Sequence, residues 1–211
     1  MRCNNAIVEP GIIAGVNPGS VRRLLVLALL SLVGMAGQAR ADAAAGQAKA
    51  QVCVACHGPQ GNSTNPAYPA LAGQTARYLY LQLRDFNESR RNHPAMSPTP
   101  APMSREDMHD LADYFAAQKP MPSTYKVETA HVEAGRKKSE EILCTMCHLG
   151  GFSGQNEIPR VAGQQYAYIV KQLEDFRAKR RTNDAGNMTS VARNLSDDDI
   201  RNLASYITNL N

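Results

Sequence analysis

The sequence predicts an all-α fold built as two similar halves, and three observations carry that reading. Apolar residues recur at helical spacing, as in Tyr78, Leu79, Leu81, Leu83 and Phe86, and no run alternates convincingly as a strand. The chain repeats itself at an offset of 90 to 92 residues. Prolines and Ser-x-x-Asp patterns punctuate both halves in matching places.

The first element is an address. Leu24 to Met35 is an uncharged apolar run preceded by Arg22-Arg23 and followed by Ala39-Arg40-Ala41. A basic flank, a short apolar core and small residues at the −3 and −1 positions predict a secretory signal peptide, residues 1–41, cleaved before Asp42. The run falls short of the ~20 residues that span a bilayer. Of the 211 residues, 170 then remain, and the formal charge of +4 falls to 19 basic against 18 acidic residues, because Arg2, Arg22, Arg23, Arg40 and Glu9 are removed. That balance gives no footing for a nucleic-acid partner. With 43% hydrophobic and 20% charged residues the chain is globular rather than disordered.

Removing Cys3 leaves four cysteines in two identical settings, Cys53-Val54-Ala55-Cys56-His57 and Cys144-Thr145-Met146-Cys147-His148. Around them the repeat is extensive. Pro69-Ala70-Leu71-Ala72-Gly73-Gln74 returns as Pro159-Arg160-Val161-Ala162-Gly163-Gln164. Tyr78, Leu83, Asp85, Phe86, Arg90 and Arg91 return 90 residues on as Tyr168, Leu173, Asp175, Phe176, Arg180 and Arg181. Each half reads as a helix running into the cysteine motif (from Asp42 to Val52, then from Val132 to Leu143), a second helix (Thr75 to Asn87, then Gln165 to Arg177) and a last one opened by Ser104-x-x-Asp107 or Ser196-x-x-Asp199. Pro120 and Pro122 mark the linker.

Halves of 80 to 90 residues without tryptophan bury little apolar surface, so something else fills each core. Covalent c-type haem needs two thiols for the porphyrin vinyls and one imidazole for the iron, which C-x-x-C-H supplies on one helical face. Cys53, Cys56, Cys144 and Cys147 are therefore the expected attachment points of two haem c groups, with His57 and His148 as axial ligands. Four-cysteine zinc knuckles stand much closer together, thioredoxin-like chemistry wants a βαβ setting, and paired disulfides leave each histidine unexplained.

A sixth ligand separates carriers from catalysts. Met96 lies 39 residues after His57 and Met188 lies 40 after His148, and the two correspond in the repeat. In the second half the choice is nearly forced, since Met146 is inside the motif. In the first, Met103, Met108 and Met121 compete with Met96, but Met103 and Met108 align with Leu195 and Ile200 and read as core, and Met121 lies in the linker. His93, His109 and His131 lack counterparts and read as surface residues, with His93 the nearest to Met96. The Arg90-Arg91 and Arg180-Arg181 pairs read equally well as propionate or partner contacts and as solvated helix ends.

With both C-x-x-C-H motifs, both P-x-[LV]-A-G-Q segments and both methionines in place, the chain resembles the dihaem cytochrome c4 family over residues 42–211. The resemblance implies two tandem class I cytochrome c domains, 42–118 and 131–211, joined by a linker at 119–130, each a small helical bundle around a covalent haem. It implies iron ligation by His57 with Met96 and by His148 with Met188, and imidazoles that hydrogen-bond the carbonyls of Pro69 and Pro159. It implies a periplasmic electron carrier without enzymatic activity, a monomer able to associate peripherally with the membrane. Its donor would be a quinol-oxidising complex or a dehydrogenase, and its acceptor a terminal oxidase such as a cbb3-type enzyme. A dedicated electron-accepting subunit of a periplasmic dehydrogenase complex is the alternative. A dihaem peroxidase is disfavoured, because it needs one haem without a methionine.

Overall fold

Each half lays its first helix across its last, and the crossing depends on a glycine. In the first half α1 (residues 45–49) runs through a 3-10 turn, Ala50–Cys53, into α2 (Val54–His57). The structure, a computed structural model, describes residues 45–210. The expected signal peptide lies outside the described residues. A Cβ on Gly46 would come within 2.4 Å of the Asp110 carbonyl oxygen, so only glycine permits this approach. After another 3-10 turn (Pro59–Gly61) follow α3 (Ala76–Asn87) and α4 (Arg105–Ala116).

The second half repeats the plan with α5 (Thr129–Glu141), α6 (Thr145–His148), α7 (Tyr166–Arg177), α8 (Asn187–Ala192) and α9 (Asp197–Thr208). Gly135 on α5 meets α9 as Gly46 meets α4, with a built Cβ 2.0 Å from the Asn202 carbonyl oxygen. Among the described residues the only extended pairing is an isolated bridge between Gln155 and Ile158. The all-α expectation therefore holds.

The capping chemistry is as the sequence dictates. Ser104 and Ser196 open α4 and α9 as capping boxes, each hydroxyl accepting from the backbone N–H three residues on, with Asp107 and Asp199 reaching back. Thr75 caps α3 by accepting from the Tyr78 N–H. The linker is fastened at both ends. Asn62 accepts from the Met121 N–H at 2.8 Å, and the Tyr125 ring stacks on Tyr166 with centroids 4.5 Å apart.

One short helix, α8, was not foreseen. Gly186, with φ 82°, and the Asp184 carboxylate, which accepts from the Thr189 N–H at 2.8 Å, start it. The corresponding stretch of the first half carries Pro94, Pro98, Pro100 and Pro102 and stays in turns.

The halves have separate apolar cores. One centres on Leu79, Met108, Leu111 and Phe115, the other on Phe152, Leu173, Ile200 and Leu203. Nevertheless residues Asp42–Asn211 form one body, and polar bonds arranged with two-fold reciprocity join the halves. Gln74 donates to the Arg160 carbonyl (2.7 Å) and accepts from its N–H (2.8 Å). Gln164 donates to the Ala70 carbonyl (2.9 Å) and accepts from its N–H (2.7 Å). Ala70 and Arg160 are themselves repeat equivalents, so each half offers the other the same surface, as in an isologous dimer.

A second layer behaves alike. Ser89 and Lys179, at φ 59° and 55°, end α3 and α7 and turn the following arginines toward the opposite half. Arg91 donates to the Tyr168 hydroxyl (3.1 Å) and to Gln172 (3.0 Å). Arg181 donates to the Tyr78 hydroxyl (3.0 Å) and to Gln82 (3.1 Å).

Candidate haem sites

The first C-x-x-C-H motif straddles the 3-10 turn and α2; the second is closed by α6. In both, a helical turn puts the two cysteines and the histidine on one side. The four thiols are unpaired, with Cys53 buried, Cys144 half-buried, and Cys56 and Cys147 exposed. Among the described residues no disulfide joins either pair. Burial pushes the Cys144 thiol up to about 11 and moves Cys53 in the same direction.

His57 and His148 are buried, at 7% and 9% exposure. Each presents Nδ1 at 2.9 Å from a proline carbonyl, Pro69 for the first and Pro159 for the second. A carbonyl oxygen only accepts, so the proton sits on Nδ1 and the lone pair on Nε2. Burial lowers the affinity of both rings for a second proton, and the carbonyl bond offsets this only in part. Neutral imidazole with a fixed tautomer is what an iron ligand requires. The proline contacts implied by the resemblance are present in both halves.

The residue after each histidine takes the same unusual backbone shape. Gly58 has φ 74° and ψ 170°; Leu149 has φ 63° and ψ 172°. This region is open to glycine and strained for leucine. A Cβ on Gly58 would fall 2.2 Å from the Asn62 carbonyl oxygen.

The methionines sort as follows. Met96 is half-buried in the turns between α3 and α4, and Met188 is half-buried on α8, packed against the second core. Met103 packs against the first core, Met108 is 3% exposed within it, and Met121 is 64% exposed. His109 stacks on Tyr80 with centroids 4.0 Å apart, and His131 pairs with Asn202 at 2.6 Å. His93 is half-buried, and its Nδ1 has no hydrogen-bond partner among the described residues.

The structure gives the arginine pairs a role that neither reading named. Arg90 and Arg180 bind Asp85 and Asp175 of their own halves, whereas Arg91 and Arg181 cross to the other. Gln74 and Gln164 were visible in the repeat but given no role, and Gln82 and Gln172 were overlooked. Their signal is a polar residue kept in both copies where nothing in its own half demands it.

In each half two free thiols and a neutral imidazole with Nε2 available fit a c-type haem. Two such domains in tandem define a dihaem electron-transfer cytochrome. The cytochrome c family pattern matches residues 43–119 and 132–211. Cytochrome c4 of Pseudomonas aeruginosa is 41% identical over 201 residues, covering 90% of this chain and all of that protein. Cytochrome c4 of Azotobacter vinelandii is 40% identical over 212 residues, covering 92% of this chain and 99% of its own. The crystal structure of reduced recombinant cytochrome c4 from Pseudomonas stutzeri superposes with a TM-score of 0.75 at 39% identity, covering 80% of this chain and 98% of that one. The chain belongs to the cytochrome c4 family, and it binds two covalently attached haem c groups, one in each half.

Proposed function

We propose that the protein is an exported electron carrier whose two irons are each closed by histidine and methionine. Cys53 and Cys56 form the thioethers in domain 42–118, with His57 and Met96 on the iron. Cys144 and Cys147 form them in domain 131–211, with His148 and Met188. The linker is 119–130. The observation that carries this reading is the matched pair of buried imidazoles, each held by a proline carbonyl and keeping Nε2 free.

When bound, haem supplies a one-electron ferric/ferrous couple. The chain's own groups do the rest. The carbonyls of Pro69 and Pro159 fix ring orientation and raise imidazole basicity. The methionine sulfurs close the sixth position against outside ligands, which makes each site a carrier rather than a catalyst. Electrons then pass to a protein acceptor, for which a terminal oxidase is the reading kept here. The address at residues 1–41 supports a periplasmic location, and among the described residues no helix is long and apolar enough to cross a membrane.

Carbon monoxide added to the reduced holoprotein tests the closed sites. The haem absorption should stay unchanged. A shift at either haem would show an open position and end the carrier reading there.

A second reading has its own support. A thiosulfate dehydrogenase electron acceptor from Thiomonas intermedia is 34% identical over 199 residues, covering 89% of this chain and 90% of that protein. A thiosulfate dehydrogenase (TsdBA) structure from Marichromatium purpuratum matches with a TM-score of 0.66 at 29% identity over 36% of that chain. On this reading the donor is a periplasmic dehydrogenase. Mixing oxidised holoprotein with purified thiosulfate dehydrogenase and thiosulfate should then reduce both haems within seconds.

A further inference from the structure

Among the described residues the two-fold reciprocity between the halves fails at His93 and Asn183, which stand 90 residues apart in the repeat and differ in kind. Asn183 sits in the stretch leading to Met188 and reaches across to α3. Its Nδ2 donates to the Asp85 carboxylate at 2.7 Å and to Gln82 at 3.0 Å, while its Oδ1 accepts from Arg181 Nε at 3.0 Å. The stretch that leads into α8 and Met188 is thus pinned onto the opposite half.

His93, ninety residues earlier and three before Met96, makes no side-chain hydrogen bond across the joint among the described residues. Its backbone belongs to the turn that receives the Met96 N–H, and its ring Nδ1 is without a partner among the described residues. The reason lies across the interface. Asp175, the equivalent of Asp85, has one oxygen held by Arg180 at 2.8 Å and the other by Lys171 at 2.6 Å, both from its own half. In the first half the lysine position is Leu81, so Asp85 keeps one oxygen free to receive Asn183. Two coupled substitutions, Leu81 against Lys171 and Asn183 against His93, remove the tie on one side only. The prolines of the Met96 loop restrict its shape but attach it to nothing in the second half.

We infer that Met96 is the iron ligand that yields first, and that Asn183 is a positioning residue holding Met188 in place by anchoring its approach to the other domain. This rests on the ligand assignment proposed above. In the exchange the methionine sulfur leaves as an external nitrogen donor takes its place, with no change in oxidation state. Loss of one hydrogen bond to a carboxylate corresponds to about a tenfold difference in the ligand concentration needed.

The test uses ferric holoprotein of the full chain, with imidazole as the probe and the methionine–iron charge-transfer band as the readout. Met188→His leaves only the Met96 band, and Met96→His leaves only the Met188 band. Half-loss of the Met96 band should need about tenfold less imidazole than half-loss of the Met188 band. Adding Asn183→Ala to Met96→His should bring its half-point down about tenfold. Adding His93→Asn with Lys171→Leu to Met188→His should raise that half-point, a gain that misfolding cannot imitate. If each reporter halves the band but the half-points coincide or reverse, or if neither added change moves them, the inference fails alone. If either reporter leaves the band at full amplitude, the ligand assignment falls and takes the inference with it.

Discussion

Leu149 and Gly58 show how one dihedral angle separates two otherwise equivalent sites. Both follow the histidine of the C-x-x-C-H motif with φ near 60° to 75° and ψ near 170°. Glycine is at ease there, whereas leucine stores on the order of 1–3 kcal/mol of strain. Leu149→Gly should therefore be tolerated, because relief of strain offsets the added freedom of the unfolded chain. Gly58→Leu, which imports the residue of the other half, should cost well over ~2 kcal/mol, because its Cβ meets the Asn62 carbonyl as well. Chemical denaturation of the two holoprotein variants, read as midpoint shifts, distinguishes these outcomes. At this scale the cysteine motifs were legible because covalent haem attachment demands two thiols and a following histidine at that spacing. Leu149 was not, since nothing in a sequence announces that a leucine must take a glycine's backbone shape.

Among the elements, the crossing of first and last helix is the part most sensitive to a single methyl group. Gly135→Ala would place a carbon 2.0 Å from a main-chain oxygen, so α5 must shift off α9. The expected loss is about 2–4 kcal/mol, measurable as a fall in Tm of the holoprotein. The caps matter less but carry a pH signature. Ser196→Ala should cost ~1 kcal/mol. A hydrogen bond from Lys49, joined by Ser104, holds the Asp107 carboxyl below its usual range. Burial works against ionisation at Asp199, but bonds from Ser196 and Lys138 outweigh it. A carboxylate with a depressed folded value contributes stability above its unfolded value, near pH 4, and loses it as pH falls further. Thermal melts in acid should therefore steepen below about pH 4, and less so in Asp199→Asn. Helices α3, α4, α7 and α9 were legible from apolar period and cap residues. The six-residue α8 was not, because its start depends on Gly186 and on Asp184 reaching five residues along, features too short to show a period.

In the whole molecule, the two halves behave as one body through side chains that a single half gives no reason to keep. Gln74 and Gln164 are each 7% exposed and carry the reciprocal clamp. The double variant Gln74→Ala/Gln164→Ala leaves six main-chain groups without these partners, four of them across the joint, at about 1 kcal/mol each. Calorimetry of the holoprotein should then resolve two unfolding transitions where the parent shows one; a single undivided transition would assign cohesion to the linker and the arginine layer instead. The repeat announced two domains, but their docking stayed hidden in the sequence. A residue retained twice reveals that it matters without revealing whether it faces its own core or its neighbour's.

The clamp grips main chain, not side chain. Across the joint Gln74 reads the N–H and carbonyl of Arg160, and Gln164 those of Ala70. The side chains there, a methyl group in one copy and a guanidinium in the other, are free to differ without loosening the joint. After duplication such a joint is inherited intact while the sequences around it drift. Each copy can acquire its own loop, its own strain and its own hold on sulfur, and the pair can diversify into two unequal centres without ever having to learn again how to stay together.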